Sequence, residues 1–406
     1  MTNNNEESGF GPLSGLRVLD LTNMVAGGTS TSHLADFGAE VIKIERPDGG
    51  DMIRSWGPFK DGVSIWWTVL SRNKKSITLN LGQPEGQEIL KQLVLHADVL
   101  VEAFRAGTLD KWGLGYETLS SLNPRIIVIH ISGYGQTGPY SDRPGFGSIA
   151  EAMSGFVNSN GFPDQPPILP PIPLADEIAG TFATMALLMA IYERDIGGSG
   201  KGQEIDVSLY EPLFRLLIPN VAQFDQLGLP VKRLGNRFPD GAPRNLYRAA
   251  DGQWVALSAN SQGIWLQLAR AIGREDLIED ARFLTNELRV ANVEDLDKII
   301  QDWIGERPLQ EVVDYLQGAG AVVFPIYNTA QILADPHYKA RDNIVEVPHP
   351  QLGPVKMPAA IPRFSRTPGE VRTSGPDPGQ HNQQVYGDLL GISSEDLESW
   401  EEQGLI

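Results

Sequence analysis

Asp176 opens a segment that reads Pro173-Leu174-Ala175-Asp176-Glu177-Ile178-Ala179-Gly180 and runs unbroken to Tyr192-Glu193-Arg194. Ile178, Phe182, Met185, Leu188, Met189 and Tyr192 recur at helical spacing, with alanines and Gly180 between them. A helix apolar on nearly every side reads as a buried core helix, too short and too charged at its ends to span a bilayer. Asp176 stands at its N-cap, behind Pro170, Pro171 and Pro173. A carboxylate there has two uses. It can cap the first turn at the positive end of the helix dipole. It can also be an anionic group held ionised at the mouth of a pocket. Nothing local to the residue decides between them.

A second set of chemically able residues is basic. Arg46, Arg54, Arg72, Lys74, Lys75, Arg105 and Lys111 collect at loop positions of the first third of the chain. They are a local exception in a protein with formal net charge −18. They read either as surface charge or as a site for a phosphate-bearing ligand, where Arg forks and Lys point charges serve well. Other chemistries drop out. There is no cysteine, so thiol nucleophiles, disulfides and Cys-ligated metals are absent. The six histidines show no i, i+4 pairing, and His130 lies in an apolar run as a core residue. No GxSxG elbow and no Walker loop occurs. Gly133-Tyr134-Gly135-Gln136-Thr137-Gly138 fits GxGxxG, but Pro139 follows it where a dinucleotide fold needs a helix. Its glycines still allow close backbone approach to a ligand.

The elements that must hold these residues follow a βαβ pattern. Arg17–Leu21 reads as a buried strand, Ala26–Ser30 as a tight turn, and Thr29 or Ser30 as the cap of a helix through Phe37. Glu40–Glu45 is a second strand. The pattern repeats through strands at 75–81, 98–102 and 125–131, with helices at 87–96 and 118–122. This predicts α/β architecture: a doubly wound, Rossmann-like parallel layer. An irregular Pro/Gly-rich stretch, 138–173, leads into the Asp176 helix. Turns and amphipathic helices beyond residue 222 suggest a smaller α+β domain.

The length, 406 residues, allows a large core and two domains. The acidic balance argues against nucleic acid and anionic membranes as partners. Residues 1–8 carry no basic or long apolar segment and read as a polar tail rather than a signal peptide. No apolar run looks long enough to cross a membrane, so a cytoplasmic protein is expected.

Many separate stretches, in order, resemble the class III CoA-transferases, which include formyl-CoA, carnitine and succinyl-CoA:dicarboxylate transferases and the related α-methylacyl-CoA racemases. The resemblance runs through 13–22, 34–45, Asn73–Ile77, Glu102–Tyr116, Ser132–Tyr140, Ala150–Gly155, the Asp176 helix, Gly200–Gln203, 335–341 and Gly379–His381. It implies that Asp176 is the nucleophile. It implies an interlocked homodimer, each chain threading a hole in the other, or pairing with a homologous second subunit. The large CoA-binding domain would comprise 1–222 and 335–406, and the small one 223–334. Arg46, Leu79, Phe104, Arg105 and Lys111 would contact CoA, and Gln136 would be an active-site loop residue. Acyl-CoA and a small carboxylic acid are then the substrates, with no permanently bound cofactor.

Departures narrow the branch. Val25, Ser132 and Ala103 replace a glutamine, a lysine and an asparagine of the formyl-CoA enzymes, and a glycine run is missing. The pattern sits nearer the carnitine and dicarboxylate branches, with succinyl-CoA as donor and a malate-like acceptor expected. Arg237 or Arg244 would supply the cation for a second carboxylate, and the Gly133–Gly135 backbone the oxyanion donors. Two alternatives stand beside this. A racemase on the same fold would need a histidine and then an aspartate where Phe146 and Gly147 stand. A non-catalytic CoA-binding protein would bind and not turn over.

Overall fold

Six strands form one parallel sheet: β1 (Arg17–Leu21), β2 (Glu40–Glu45), β3 (Lys75–Thr78), β4 (Val99–Glu102), β5 (Ile127–Ser132) and β6 (Glu204–Ser208). Their spatial order is β3-β2-β1-β4-β5-β6, so the direction of winding reverses between β1 and β4. The computed structural model describes residues 10–406, and the polar tail read at residues 1–8 lies outside the described residues.

The strands are legible because both faces of a parallel sheet are buried. In β1, Val18 packs into one core cluster while Leu19 and Leu21 pack into the other. The first face is covered by α1 (Val25–Asp36) and the long α4 (Leu174–Asp195); the second by α2 (Pro84–Val94) and the C-terminal residues Val385, Tyr386, Leu397, Leu405 and Ile406. α3 (Gly147–Met153) leads into α4.

α1 begins earlier than its residues suggested. Ala26–Ser30 is helix, not a turn, and Met24 precedes it with φ 72°. Thr29 and Ser30 are not caps; they pack against α4. A Cβ on Gly180 of α4 would lie 2.4 Å from the Ala26 carbonyl oxygen, so only glycine admits this approach. Thr184 Oγ1 hydrogen-bonds Ser30 Oγ at 3.2 Å, and Thr29 Oγ1 donates to Glu177 at 3.1 Å.

α4 itself departs from expectation in two ways. Only one stripe is buried: Ala175, Ala179, Gly180, Ala183, Leu187, Ala190 and Arg194. Met185, Leu188, Met189 and Tyr192 lie exposed, Tyr192 by 65%. At 22 residues it is also long and apolar enough to cross a membrane by length and composition. Length therefore does not argue against a span. What α4 does here is pack small residues onto α1 and the sheet.

The described residues fall into two compact units. The first takes the chain up to Phe156, then Leu169–Pro219 and Tyr338–Ile406; the second takes Val157–Ile168 and Asn220–His337. Residues 157–168 thus leave the stretch 1–222 expected of the large domain, and the later boundaries fall at 219/220 and 337/338. The second unit holds a three-stranded antiparallel sheet, β7 (Arg244–Arg248), β8 (Trp254–Ser258) and β9 (Val323–Pro325), with β8 central. Trp265, Phe283, Leu296 and Ile300 are among its core residues. Arg237 there pairs with Asp297 at 2.8 Å, and Arg244 lies over the Phe238 ring at 5.1 Å.

Candidate functional site

Open α/β sheets bind ligands beyond the carboxyl ends of their strands, where the winding reverses. Two adjoining cavities lie there in the first unit. The larger, about 410 Å³, is lined by Leu21, Thr22 and Asn23 after β1, Lys43–Arg46 at the end of β2, Leu79–Gly82 after β3, and Phe104 and Trp112 after β4. The smaller, about 250 Å³, is lined by Asn23, Met24, Ala103–Ala106, Ser132, Gly133, Ser141, Arg143–Phe146, Asp176 and Leu209. Asn23 and Phe104 line both, so one runs into the other.

Among the described residues Asp176 is the only carboxylate lining the smaller chamber, and no histidine lines it. It is not the N-cap. Pro173 holds that position with no side-chain cap, and Asp176 follows in the first turn. The capping role falls to Glu151 of α3, whose Oε1 accepts the Ala175 N–H at 3.2 Å. Asp176 is left free to face the chamber. Its carboxyl is pushed up to about 6, chiefly by burial and then by the negative charge of Glu151. Roughly nine molecules in ten are still ionised at pH 7. The result is a more basic carboxylate than an exposed aspartate, still charged at neutral pH.

This arrangement fixes a pH dependence. If ionised Asp176 is the reacting form, kcat/KM falls as pH drops through about 6. Glu151→Gln keeps an acceptor for the Ala175 N–H but removes the neighbouring charge. The acid limb of the pH–rate profile should then move down, toward the ordinary carboxylate range. A limb that stays in place would remove Glu151 from the account.

Met24 also marks the site. It lines the chamber with φ 72°, a left-handed conformation that a side chain like methionine adopts rarely and at a cost of ~1–3 kcal/mol.

The residues expected at the site divide sharply. Asp176, Phe104 and Arg105 line the chamber; Arg46, Leu79 and again Phe104 line the larger cavity. Lys111 lines neither, although its neighbour Trp112 lines the larger cavity, in edge contact with Phe104 at 5.1 Å. Gln136 does not line the chamber. It lines a separate small cavity with Glu102, His130 and Glu204; its N–H donates to Asp206 at 2.7 Å, and its buried Nε2 has no hydrogen-bond partner among the described residues. Of the presumed oxyanion loop, Gly133 reaches the chamber, whereas the Gly135 N–H is committed to Ser132 Oγ at 3.0 Å.

The basic cluster is mostly structural. Arg54 forks onto Glu45 and stacks on Trp67; Arg72 pairs with Asp36, and Lys75 with Glu40. Lys74 is buried against Asp20 at 3.1 Å. Burial would raise the Asp20 carboxyl, but Lys43 and Lys74 together hold it well below the usual range. Arg46 pairs with Asp48 on the surface. Arg237 donates from Nε to Asp297 at 2.8 Å.

Two residues that bear on the site, Glu151 beside Asp176 and Arg143 in the chamber lining, were not singled out from the sequence. Glu151 carries no local signal, because its capping partner is 24 residues away. Arg143 lies in an irregular loop and is fixed there by stacking on Tyr140 at 3.8 Å.

Comparison with known proteins gives one consistent result. The model of CoA-transferase family III matches residues 13–382. The chain is similar to succinyl-CoA–D-citramalate CoA-transferase of Chloroflexus aurantiacus, 44% identical over 387 residues, covering 95% of this chain and 96% of the relative. It is 38% identical to the succinyl-CoA–L-malate CoA-transferase beta subunit of the same organism, over 95% and 96% of the two chains. Among solved structures, a CAIB/BAIF family protein from Brucella suis superposes with TM-score 0.83 at 32% identity, covering 94% of this chain and all of that one.

Proposed function

This chain belongs to CoA-transferase family III, an enzyme whose substrates are CoA thioesters, and from that premise we propose that it moves CoA from succinyl-CoA to a small dicarboxylate through Asp176. The observation that carries the proposal is the carboxylate of Asp176, alone among the described residues of a chamber that opens, past Asn23 and Phe104, into a cavity large enough for part of a CoA chain. The names of the two Chloroflexus relatives, which pair succinyl-CoA with D-citramalate or L-malate, support the substrate class.

Asp176 attacks the thioester carbonyl, and CoA leaves as a thiolate, an easy departure because thiol pKa values lie near ~8.5. The resulting mixed anhydride is attacked at the Asp176 carbonyl by that thiolate, which releases the free acid and leaves an aspartyl-CoA thioester. The acceptor carboxylate displaces CoA to form a new anhydride. The thiolate then attacks the acceptor carbonyl and regenerates Asp176. No general base is needed at any step. The Gly133 backbone is the donor of the expected loop that remains available to a developing oxyanion; one such donor is worth ~3 kcal/mol.

In this reading CoA lies along Arg46, Leu79 and Phe104, with Arg105 and Lys111 as cations near its path. The exposed apolar face of α4, with Met189 and Tyr192, is covered by a second copy in an interlocked homodimer. Racemisation would need a base on each face of the α-carbon. Phe146 offers none, Gly147 has no side chain, and among the described residues the chamber lining holds no second acid.

The test is a screen of acyl-CoAs against carboxylic acids, read by mass spectrometry. Succinyl-CoA with malate, citramalate or a similar C4–C5 dicarboxylate should yield the new CoA thioester and free succinate. Deuterium entering the α-position of a 2-methylacyl-CoA at turnover rates, with no CoA transfer, would overturn the reading.

A further inference from the structure

Two guanidinium groups line the Asp176 chamber, Arg105 and Arg143, and among the described residues neither is paired with a carboxylate. Their surroundings differ. Arg105 also lines the small cavity that holds Glu102, Asp110 and Glu204, so three carboxylates share its neighbourhood. Its neighbour Phe104 faces the larger cavity. Arg143 does not line that small cavity. One face of its guanidinium lies on the Tyr140 ring at 3.8 Å, and Tyr140 is in turn held edge-on by Tyr134 at 5.9 Å. The Arg143 backbone N–H donates to the Tyr140 carbonyl at 2.9 Å, which closes the loop beneath the stack. A guanidinium held by its face keeps its N–H edges open, the geometry that takes a carboxylate with two parallel hydrogen bonds.

We infer that Arg143 binds the far carboxylate of the substrates and so sets the preference for dicarboxylic over monocarboxylic acids. This rests on the transferase reading above and names the residue that would select its substrates. The electrostatics require such a residue. Asp176, Glu151 and Glu177 are gathered at one end of α4, in a chain of net charge −18, and repel an anionic acid. A monocarboxylate presents only its reacting group. A dicarboxylate presents a second charge that one fixed cation can hold while the first meets Asp176. Donor and acceptor occupy the chamber in turn, so one arginine serves both half-reactions. Arg237 does not line the chamber, and its Nε is bonded to Asp297.

The experiment compares two exchange reactions that use the same nucleophile: labelled succinate into succinyl-CoA, and labelled butyrate into butyryl-CoA. Arg143→Gln should lower kcat/KM for succinate ~30-fold, the loss expected for a charge-assisted pair, and leave butyrate exchange unchanged. Arg143→Lys should recover part of the loss through charge without the fork. Binding of free succinate by calorimetry should weaken by the same ~30-fold factor in Arg143→Gln. A variant that loses both exchanges equally, loses neither, or binds succinate as the wild type does overturns the assignment while the transferase reading stands. A wild-type protein that performs neither exchange overturns both.

Discussion

Asp176→Asn should lower kcat roughly 10⁴-fold or more while the protein folds and binds acyl-CoA with near-normal affinity. The substitution keeps shape and volume but replaces the charged carboxylate with a neutral, weakly nucleophilic amide. It also relieves the repulsion with Glu151 and Glu177 that raises the Asp176 carboxyl, so stability should not suffer. The wild-type enzyme offers a direct observation of the same chemistry. Incubated with acyl-CoA and then hydroxylamine, it should carry a hydroxamate on the peptide containing Asp176, because both the anhydride and the aspartyl thioester are open to that nucleophile. The label should be absent from Asp176→Asn, and absent from wild-type protein treated without acyl-CoA. Turnover near the wild-type rate in the variant, or a label on another residue, would remove Asp176 from the centre of the mechanism.

The parallel sheet was readable because its strands are continuous apolar runs with both faces buried; Arg17–Leu21 and Glu40–Glu45 have the same limits in the sequence reading and in the fold. Helix starts were less legible for a physical reason. Thr29 and Ser30 have the chemistry of caps, yet here they are small residues that let two helices touch at Gly180. Asp176 has the chemistry of a cap too, and is freed from it because Glu151 reaches across to the first-turn amides. That substitution of one carboxylate for another joins elements that no local pattern connects. The basic cluster misled for a related reason. Charges that look unpaired along the chain are neutralised across it: Arg72 by Asp36, Lys74 by Asp20, Lys75 by Glu40. The sheet brings those partners together, and their absence from the local sequence left the cations looking free. Conversely Arg143, one of two chamber cations with no carboxylate partner among the described residues, sits in a loop with no periodicity to draw attention to it.

Gly147 provides a second large effect, one that separates the reactive geometry from the fold. It is the first residue of α3, and a Cβ built on it would lie 1.9 Å from Asp176 Oδ2. That is far inside van der Waals contact, so Gly147→Ala must turn the carboxylate away or shift the helix. Its backbone is not in the left-handed region, and alanine in a helix gains up to ~1 kcal/mol over glycine. The backbone therefore accepts the change, and the collision falls on the Asp176 side chain. A displacement near 1 Å at a reacting group can cost ~100-fold in rate, and kcat should fall by about that much while Tm holds. Gly147→Asp should do worse, because it adds a second anion beside a carboxylate already raised by its neighbours. It should not create a racemase, since Phe146 beside it is 60% exposed at the chamber and takes up no proton. A Gly147→Ala enzyme with full activity would mean that the chamber yields freely at Asp176. A variant with a much lower Tm would mean that the helix moved in place of the side chain. The absent side chain at position 147 thus leaves Asp176 Oδ2 unobstructed, and if Asp176 is the nucleophile, a single methyl group there should slow acyl transfer ~100-fold without disturbing the sheet that carries it.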